Sequence, residues 1–91
     1  MRAIHDKREV AERLKISRIA MKLNGVSIAK LSGITQQDWN NAETAHARLG
    51  VNKAIKVCEA TGLTLDWIYR GIRHGLPAEI AQAIAELQRQ R

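Results

Sequence analysis

Residues 29–43 read AKLSGITQQDWNNAE, and this stretch decides the fold. It predicts a short helix, a tight turn at Gly33 and a second helix that begins after Thr35, because glycine accepts left-handed turn geometry and threonine caps helices. Amide side chains occupy four positions of the second helix: Gln36, Gln37, Asn40 and Asn41. Amides donate and accept hydrogen bonds at once, which suits the edge of an adenine in a DNA major groove. We therefore predict a helix-turn-helix that binds double-stranded DNA.

Helical patterning continues on both sides of this stretch. The predicted helices span residues 6–23, 26–32, 36–43, 52–61, 65–69 and 77–91. Asp6, Asn24 and Thr35 are the expected N-caps, and Gly33 and Gly62 are the expected ends of two helices. Ala54, Ile55 and Cys58 form the expected apolar stripe of the fourth helix. No strand pattern competes with these helices, so we predict an all-α fold, a compact bundle of five to six helices.

Length and composition bound the class of protein. A chain of 91 residues forms one small domain, and 45% hydrophobic residues make disorder unlikely for it as a whole. Aromatic residues are only 3% of the chain, so we expect a core of Leu, Ile, Val and Ala. The single cysteine, Cys58, has no partner for an internal disulfide, and we predict that it is a small core residue.

Catalytic and metal-binding patterns are absent from the sequence. It has no paired carboxylates, no nucleophile with a base and no glycine-rich phosphate loop, so we predict no enzyme activity and no cofactor. His5, His46 and His74 are scattered, and no Cys/His cluster has metal-ligand spacing. No apolar run approaches the length of a membrane span, and MRAIHDKREV lacks the apolar segment of a signal peptide. We therefore expect a soluble, cytoplasmic protein.

Positive charge is concentrated around the helix-turn-helix. The net charge is +6, and residues 13–56 carry the whole excess, with eight basic residues against Asp38 and Glu43. Such a surface can serve solubility alone, with each lysine a solvated charge. Its segregation around one motif favours phosphate binding instead.

Two segments resemble a known family. AKLSGITQQDWNNAE is similar to the second helix, turn and third helix of the Xre/Cro group, the phage lambda repressor-like regulators, and GVNKAIKVCEATGLTLDWIYRG (residues 50–71) looks like their fourth and fifth helices. The resemblance covers about residues 13–71. It implies a lambda-repressor-like bundle, with the second helix on the DNA backbone and the third in the major groove. It also implies symmetric dimers on inverted-repeat sites, with Gln36 and Gln37 opening the recognition helix and Asn40 and Asn41 one turn further on.

The sequence departs from this family at two positions. Gly25 stands where the family often has a glutamine that meets a phosphate, so that only the backbone N–H remains for this contact. Ser32 replaces a large apolar residue before the turn glycine. Either Leu31 compensates for this loss, or the second helix packs more loosely.

The remaining contact residues are assigned by their positions around the motif. We predict contacts to the DNA backbone from six residues: Asn24, Gly25, Lys30, Thr35, Arg48 and Lys53. Arg48 is the strongest of these, since the loop after the third helix of such folds lies along the backbone. His46, in the same loop, is a further candidate for a phosphate contact.

The C-terminal part predicts a protein contact. We divide the chain into a DNA-binding domain, residues 1–75, and a C-terminal helix, residues 76–91. The predicted dimer interface consists of Ile68, Tyr69, Ile80, Ile84 and Leu87. The last helix then folds back on the domain or pairs with a second copy in a homodimer. The sequence thus predicts a transcriptional regulator, a repressor; the alternative is an antitoxin or interaction module whose last helix binds a partner protein.

Overall fold

The computed structural model describes residues 6–90, which fold entirely into helices and loops, with no strand in this range. Residues 1–5 and 91, including His5, lie outside it. Five α-helices and one short π-helix follow in chain order: α1 (Lys7–Ala20), α2 (Gly25–Ser32), α3 (Gln36–Glu43), α4 (Val51–Thr61), the π-helix (Asp66–Arg70) and α5 (Ala78–Arg89). The predicted all-α bundle is confirmed at this level.

Side-chain caps fix the starts of the first three helices as predicted. Asp6 accepts hydrogen bonds from the N–H groups of Arg8 and Glu9. Asn24 accepts one from Ser27 at 2.8 Å, and Thr35 accepts one from Asp38 at 3.0 Å. Each cap satisfies an N–H group that has no partner inside its own helix. The boundaries of α2 and α3 therefore follow from local chemistry.

Several boundaries differ from the prediction: α2, α4 and the π-helix are displaced by one residue at one end or both, and α1 and α5 differ as follows. The first helix ends at Ala20 rather than Leu23, because Lys22 adopts a left-handed conformation (φ +59°) that no α-helix continues through. This turn redirects the chain before Asn24 caps α2. In the C-terminal half, Pro77 lies at the N-cap of α5 and not inside its first turn, with Ala78 as the first helical residue.

One core joins all six helices. The largest fully buried apolar side chains come from α1, α2, α3, α4, the π-helix and α5: Leu14, Ile28, Trp39, Val57, Ile68 and Ile84. The radius of gyration is 12.0 Å, close to the roughly 12 Å expected of a compact chain of this length. Because Ile84 belongs to the same core as Leu14 and Ile28, α5 packs as part of the bundle.

Two apolar positions point outward, contrary to the expected stripes. On α4 the buried residues are Ala54 and Val57, while Ile55 is 40% exposed. On α2, Ser32 is buried and Leu31 is 59% exposed, so Leu31 does not replace the missing apolar contact at Ser32.

Polar contacts join α1 to the π-helix. The Trp67 indole N–H donates to Ser17 Oγ at 2.7 Å, and the Ser17 hydroxyl donates to the carbonyl of Arg13 at 2.6 Å. The Arg13 guanidinium in turn donates to the carbonyls of Ile68 (2.9 Å) and Tyr69 (3.1 Å). These residues form what we call the α1–π contact, and they satisfy carbonyls at the C-terminal end of the π-helix.

None of the helices within residues 6–90 combines the length and the apolar character that crossing a bilayer requires.

Candidate nucleic-acid interface

The turn between α2 and α3 has the geometry that the sequence predicts. Gly33 is left-handed (φ +72°), and its N–H reaches the carbonyl of Lys30 at 3.3 Å. The next residue, Ile34, donates to the carbonyl of Ala29 at 3.1 Å. A side chain at Gly33 would meet open space, so the positive φ is what selects glycine here. The turn therefore sets the angle between the two helices rigidly.

The amide face of α3 is directed away from the core. Trp39 and Ala42 are 1% and 3% exposed and fix the inward face of the helix. Three of the predicted base readers lie exposed on the outward side: Gln36, Gln37 and Asn40. Asn41 is half-buried, and its carbonyl accepts the N–H groups of two loop residues, at 2.9 Å and 3.1 Å. Three exposed amide side chains are thus presented on a short helix whose opposite face is buried in the core.

An ion pair anchors the C-terminal end of α3 to α1. Arg18 Nε lies 2.6 Å from Glu43 Oε1, and both side chains are less than one-fifth exposed. A second nitrogen of Arg18 donates to the carbonyl of Leu23 at 3.0 Å. The arginine therefore ties the end of α3 to the turn before α2, which fixes the distance between the two helices of the motif.

A second ion pair lies at the opposite end of α3. Lys53 Nζ, on the first turn of α4, lies 3.1 Å from Asp38 Oδ2. The hydrogen bond from Lys53, together with one from Thr35, lowers the pKa of the Asp38 carboxyl. Lys53, predicted as a contact to the DNA backbone, is therefore engaged with a carboxylate on α3.

The loop between α3 and α4, residues 44–50, is held at both ends. The Thr44 hydroxyl donates to the carbonyl of Asn40 at 2.7 Å and also lies 2.7 Å from His46 Nδ1. Near the other end, Leu49 is buried and its carbonyl accepts the Tyr69 hydroxyl at 2.6 Å. Arg48 is exposed between these two anchors. Hydrogen bonds therefore hold the loop near both of its ends.

The predicted backbone contacts on α2 lie at its two ends. Gly25 begins the helix, and a Cβ there would stand 3.6 Å from the Trp39 ring, an ordinary contact distance. Asn24 is exposed, with its side-chain oxygen used for capping. Lys30 is exposed in the last turn. The positive end of the α2 dipole thus lies at Gly25.

The predicted dimer surface needs correction at two positions. Ile68 and Ile84 have no exposed surface, because each fills the core of its own chain. Tyr69 is half-buried and packs on the core, with its hydroxyl bonded to the α3–α4 loop. Ile80 and Leu87 are partly buried and keep some surface. The apolar repeat of α5 therefore mainly reflects packing against α1 in the same chain.

Several residues that position the site were missed by the sequence prediction. Arg18, Glu43 and Tyr69 act over long sequence separations, for which a single sequence holds no signal. Asp38 had a local signal, since an acidic residue three positions after a capping threonine is typical of a helix start.

Two buried polar atoms of the motif have no hydrogen-bond partner in the part of the chain that the structure describes. They are Ser32 Oγ on α2 and Trp39 Nε1 on α3. Over the same residues, no group of three His, Cys, Asp or Glu side chains is arranged to hold a metal ion.

Comparison of the chain with protein-family models, with curated proteins and with solved structures finds no match in any of the three.

Proposed function

We propose that this protein is a sequence-specific DNA-binding transcriptional regulator of the lambda-repressor-like type, and that it represses transcription. In this proposal α3 enters the major groove, and α2 and the loop of residues 44–50 lie along the sugar-phosphate backbone. The protein acts as a homodimer, so that two copies read two half-sites.

The observation that carries the proposal is the outward amide face of α3. The exposed face of α3 consists of Gln36, Gln37 and Asn40. Charged side chains would keep such a face in solvent equally well, so solubility does not explain the amides. Each of these side chains can pair with both the N6 donor and the N7 acceptor of an adenine. The Gly33 turn and the Arg18–Glu43 pair hold the helix against the bundle, and rigid placement is what base reading requires.

Affinity and sequence preference come from different residues in this proposal. Lys30 is exposed on α2 and Arg48 is exposed on the loop that follows α3, and both neutralise phosphates, with release of counterions. The N–H groups at the start of α2, beside Gly25, bind a phosphate through the positive end of the helix dipole. The amides then add sequence preference without adding to the salt dependence.

The proposal is tested by titration of the protein into labelled DNA from immediately upstream of its own gene, with scrambled DNA of the same composition as the control. Two salt concentrations separate the electrostatic part of the affinity from the rest. We expect preference for the upstream DNA of about a thousandfold or more. Equal, weak and strongly salt-dependent binding to both DNAs would contradict sequence-specific recognition.

A further inference from the structure

The two acidic residues of α3 have unlike surroundings. Glu43 is 14% exposed and its ion pair with Arg18 is part of the packing between α1 and α3. Asp38 is one-third exposed, in the first turn beside Gln37, and Lys53 is about half exposed. On the proposed DNA-facing helix, the Asp38 carboxylate repels phosphates. The cation paired with it, Lys53, therefore affects how the protein binds DNA.

Lys53 is the residue of α4 that forms an ion pair with Asp38. The pair therefore occupies one cation that could otherwise contact a phosphate in the proposed interface. The ammonium lies 3.1 Å from the carboxylate oxygen, a charge-assisted hydrogen bond. While it is so held, the ammonium is directed toward the Asp38 carboxylate rather than toward a phosphate. The same lysine would otherwise add to the exposed basic residues of the helix-turn-helix region, such as Lys30.

We infer that Asp38 is a positioning residue that holds Lys53 away from the phosphates and so limits the affinity of the protein for DNA of any sequence. The inference rests on the proposed function. Asp38 acts through Lys53 and contacts no base, so its removal raises general affinity and leaves sequence preference unchanged. A regulator gains from such a limit, because genomic DNA offers a vast excess of non-specific sites.

The salt dependence of binding tests this inference. Each additional phosphate contact steepens the plot of log affinity against log salt by about 0.9. Asp38→Asn keeps the size of the side chain and releases Lys53, so we expect a slope steeper by about 0.9. Over a rise from about 50 to 200 mM salt, this variant then loses about 3.5-fold more affinity than the parent protein.

A matched control separates release of Lys53 from a general change of net charge. Asp66→Asn removes the same charge from the π-helix, where Asp66 pairs with Arg70 at 3.6 Å, outside the helix-turn-helix. We expect little change of slope from this variant. The double variant Asp38→Asn/Lys53→Met should return the slope to the parent value, because the released lysine is then absent.

All four proteins are measured on random-sequence duplex and on DNA from upstream of the gene, with thermal melts to verify folding. An unchanged slope for Asp38→Asn, or a steeper slope that persists in the double variant, would overturn the inference. Selective loss of binding to the upstream DNA would also overturn it, since that outcome assigns base reading to Asp38. Failure of every protein to bind either DNA would instead overturn the proposed function.

The ion pair itself is measured without DNA. The carboxyl carbon of Asp38 is followed by NMR during an acid titration of the parent and of Lys53→Met. Loss of the lysine should raise the pKa of Asp38 toward its ordinary value, because the hydrogen bond from Lys53 is the largest cause of its lowering. Equal pKa values in the two proteins would show that the pair does not persist in solution and would overturn the inference at its first step.

Discussion

The α1–π contact and the helix-turn-helix differ in how they treat buried polar groups. In the α1–π contact, Trp67 Nε1 donates to Ser17, which donates in turn to a backbone carbonyl. In the helix-turn-helix, Trp39 Nε1 and Ser32 Oγ are equally buried and have no partner among the described residues. An unpaired buried group costs about 1–3 kcal/mol. The region that carries the candidate site is thus less optimised for stability than the region that supports it, as is common where function constrains a sequence.

Substitution of the two tryptophans gives the largest expected difference between the two regions. Trp67→Phe removes ring volume and a hydrogen bond, and we expect it to lower the free energy of unfolding by about 2–4 kcal/mol. Trp39→Phe removes similar volume together with an unpaired N–H, and we expect about 1–2 kcal/mol. Chemical denaturation of both variants measures the difference. Equal losses would show that the Trp39 N–H is satisfied in solution.

The two buried serines give a second, smaller test. Ser17→Ala leaves the Trp67 indole N–H without its acceptor, so we expect a loss of about 1–3 kcal/mol of unfolding free energy. Ser32→Ala removes a hydroxyl that has no partner among the described residues, so we expect a change between zero and a gain of about 1 kcal/mol. The same substitution is thus expected to be destabilising at Ser17 and neutral or stabilising at Ser32. A clear loss at Ser32 would reveal a hydrogen bond to this hydroxyl and would contradict the comparison.

The sequence predicts the helix-turn-helix well because its boundaries depend on interactions between residues close together in the chain. Asn24, Gly33 and Thr35 act on neighbours within a few residues, and the bounds of α3 follow from them without knowledge of the rest of the fold. The outward amide face follows in turn, because Trp39 and Ala42 are the apolar residues of that helix and lie three apart.

What the sequence does not predict depends on tertiary contacts. The repeat of Ile80, Ile84 and Leu87 indicates an apolar face but not its partner, and that face packs largely on α1. Likewise, Lys53 in the sequence is one cation among several, and only the approach of α4 to α3 brings it to Asp38. Periodicity thus identifies which faces are apolar, whereas the choice between internal packing and a partner requires the fold.

Within the helix-turn-helix, we expect a substitution on the exposed face of α3 to weaken DNA binding without lowering stability. Gln36 is exposed, so Gln36→Ala should change the free energy of unfolding by no more than about 0.5 kcal/mol. Its affinity for the preferred DNA should fall by about 1–3 kcal/mol, with relaxed preference at one base pair. Competition binding with single-base variants of the site measures both effects. Equal losses on preferred and random DNA would contradict base reading by Gln36.

A modest effect is expected at Tyr69, which links the two regions. Tyr69→Phe removes the 2.6 Å hydrogen bond to the carbonyl of Leu49, and we expect a loss of about 1 kcal/mol of unfolding free energy. The contact of Arg13 with the π-helix should persist, because Arg13 binds the backbone carbonyl of Tyr69 and not its side chain. The loosening should therefore appear in the loop of residues 44–50, as faster amide hydrogen exchange there.

Exchange in α1 serves as the internal control for this variant. If the amides of residues 44–50 and of α1 accelerate together, the bond stabilises the whole bundle rather than the loop, and the two regions are not separable. If hydrogen exchange becomes faster only in the loop, the hydrogen bond of the Tyr69 hydroxyl is what restrains the loop that carries Arg48. In that case Tyr69→Phe should also weaken binding to all DNA sequences by a similar factor, because a mobile arginine loses more conformational entropy when it contacts a phosphate.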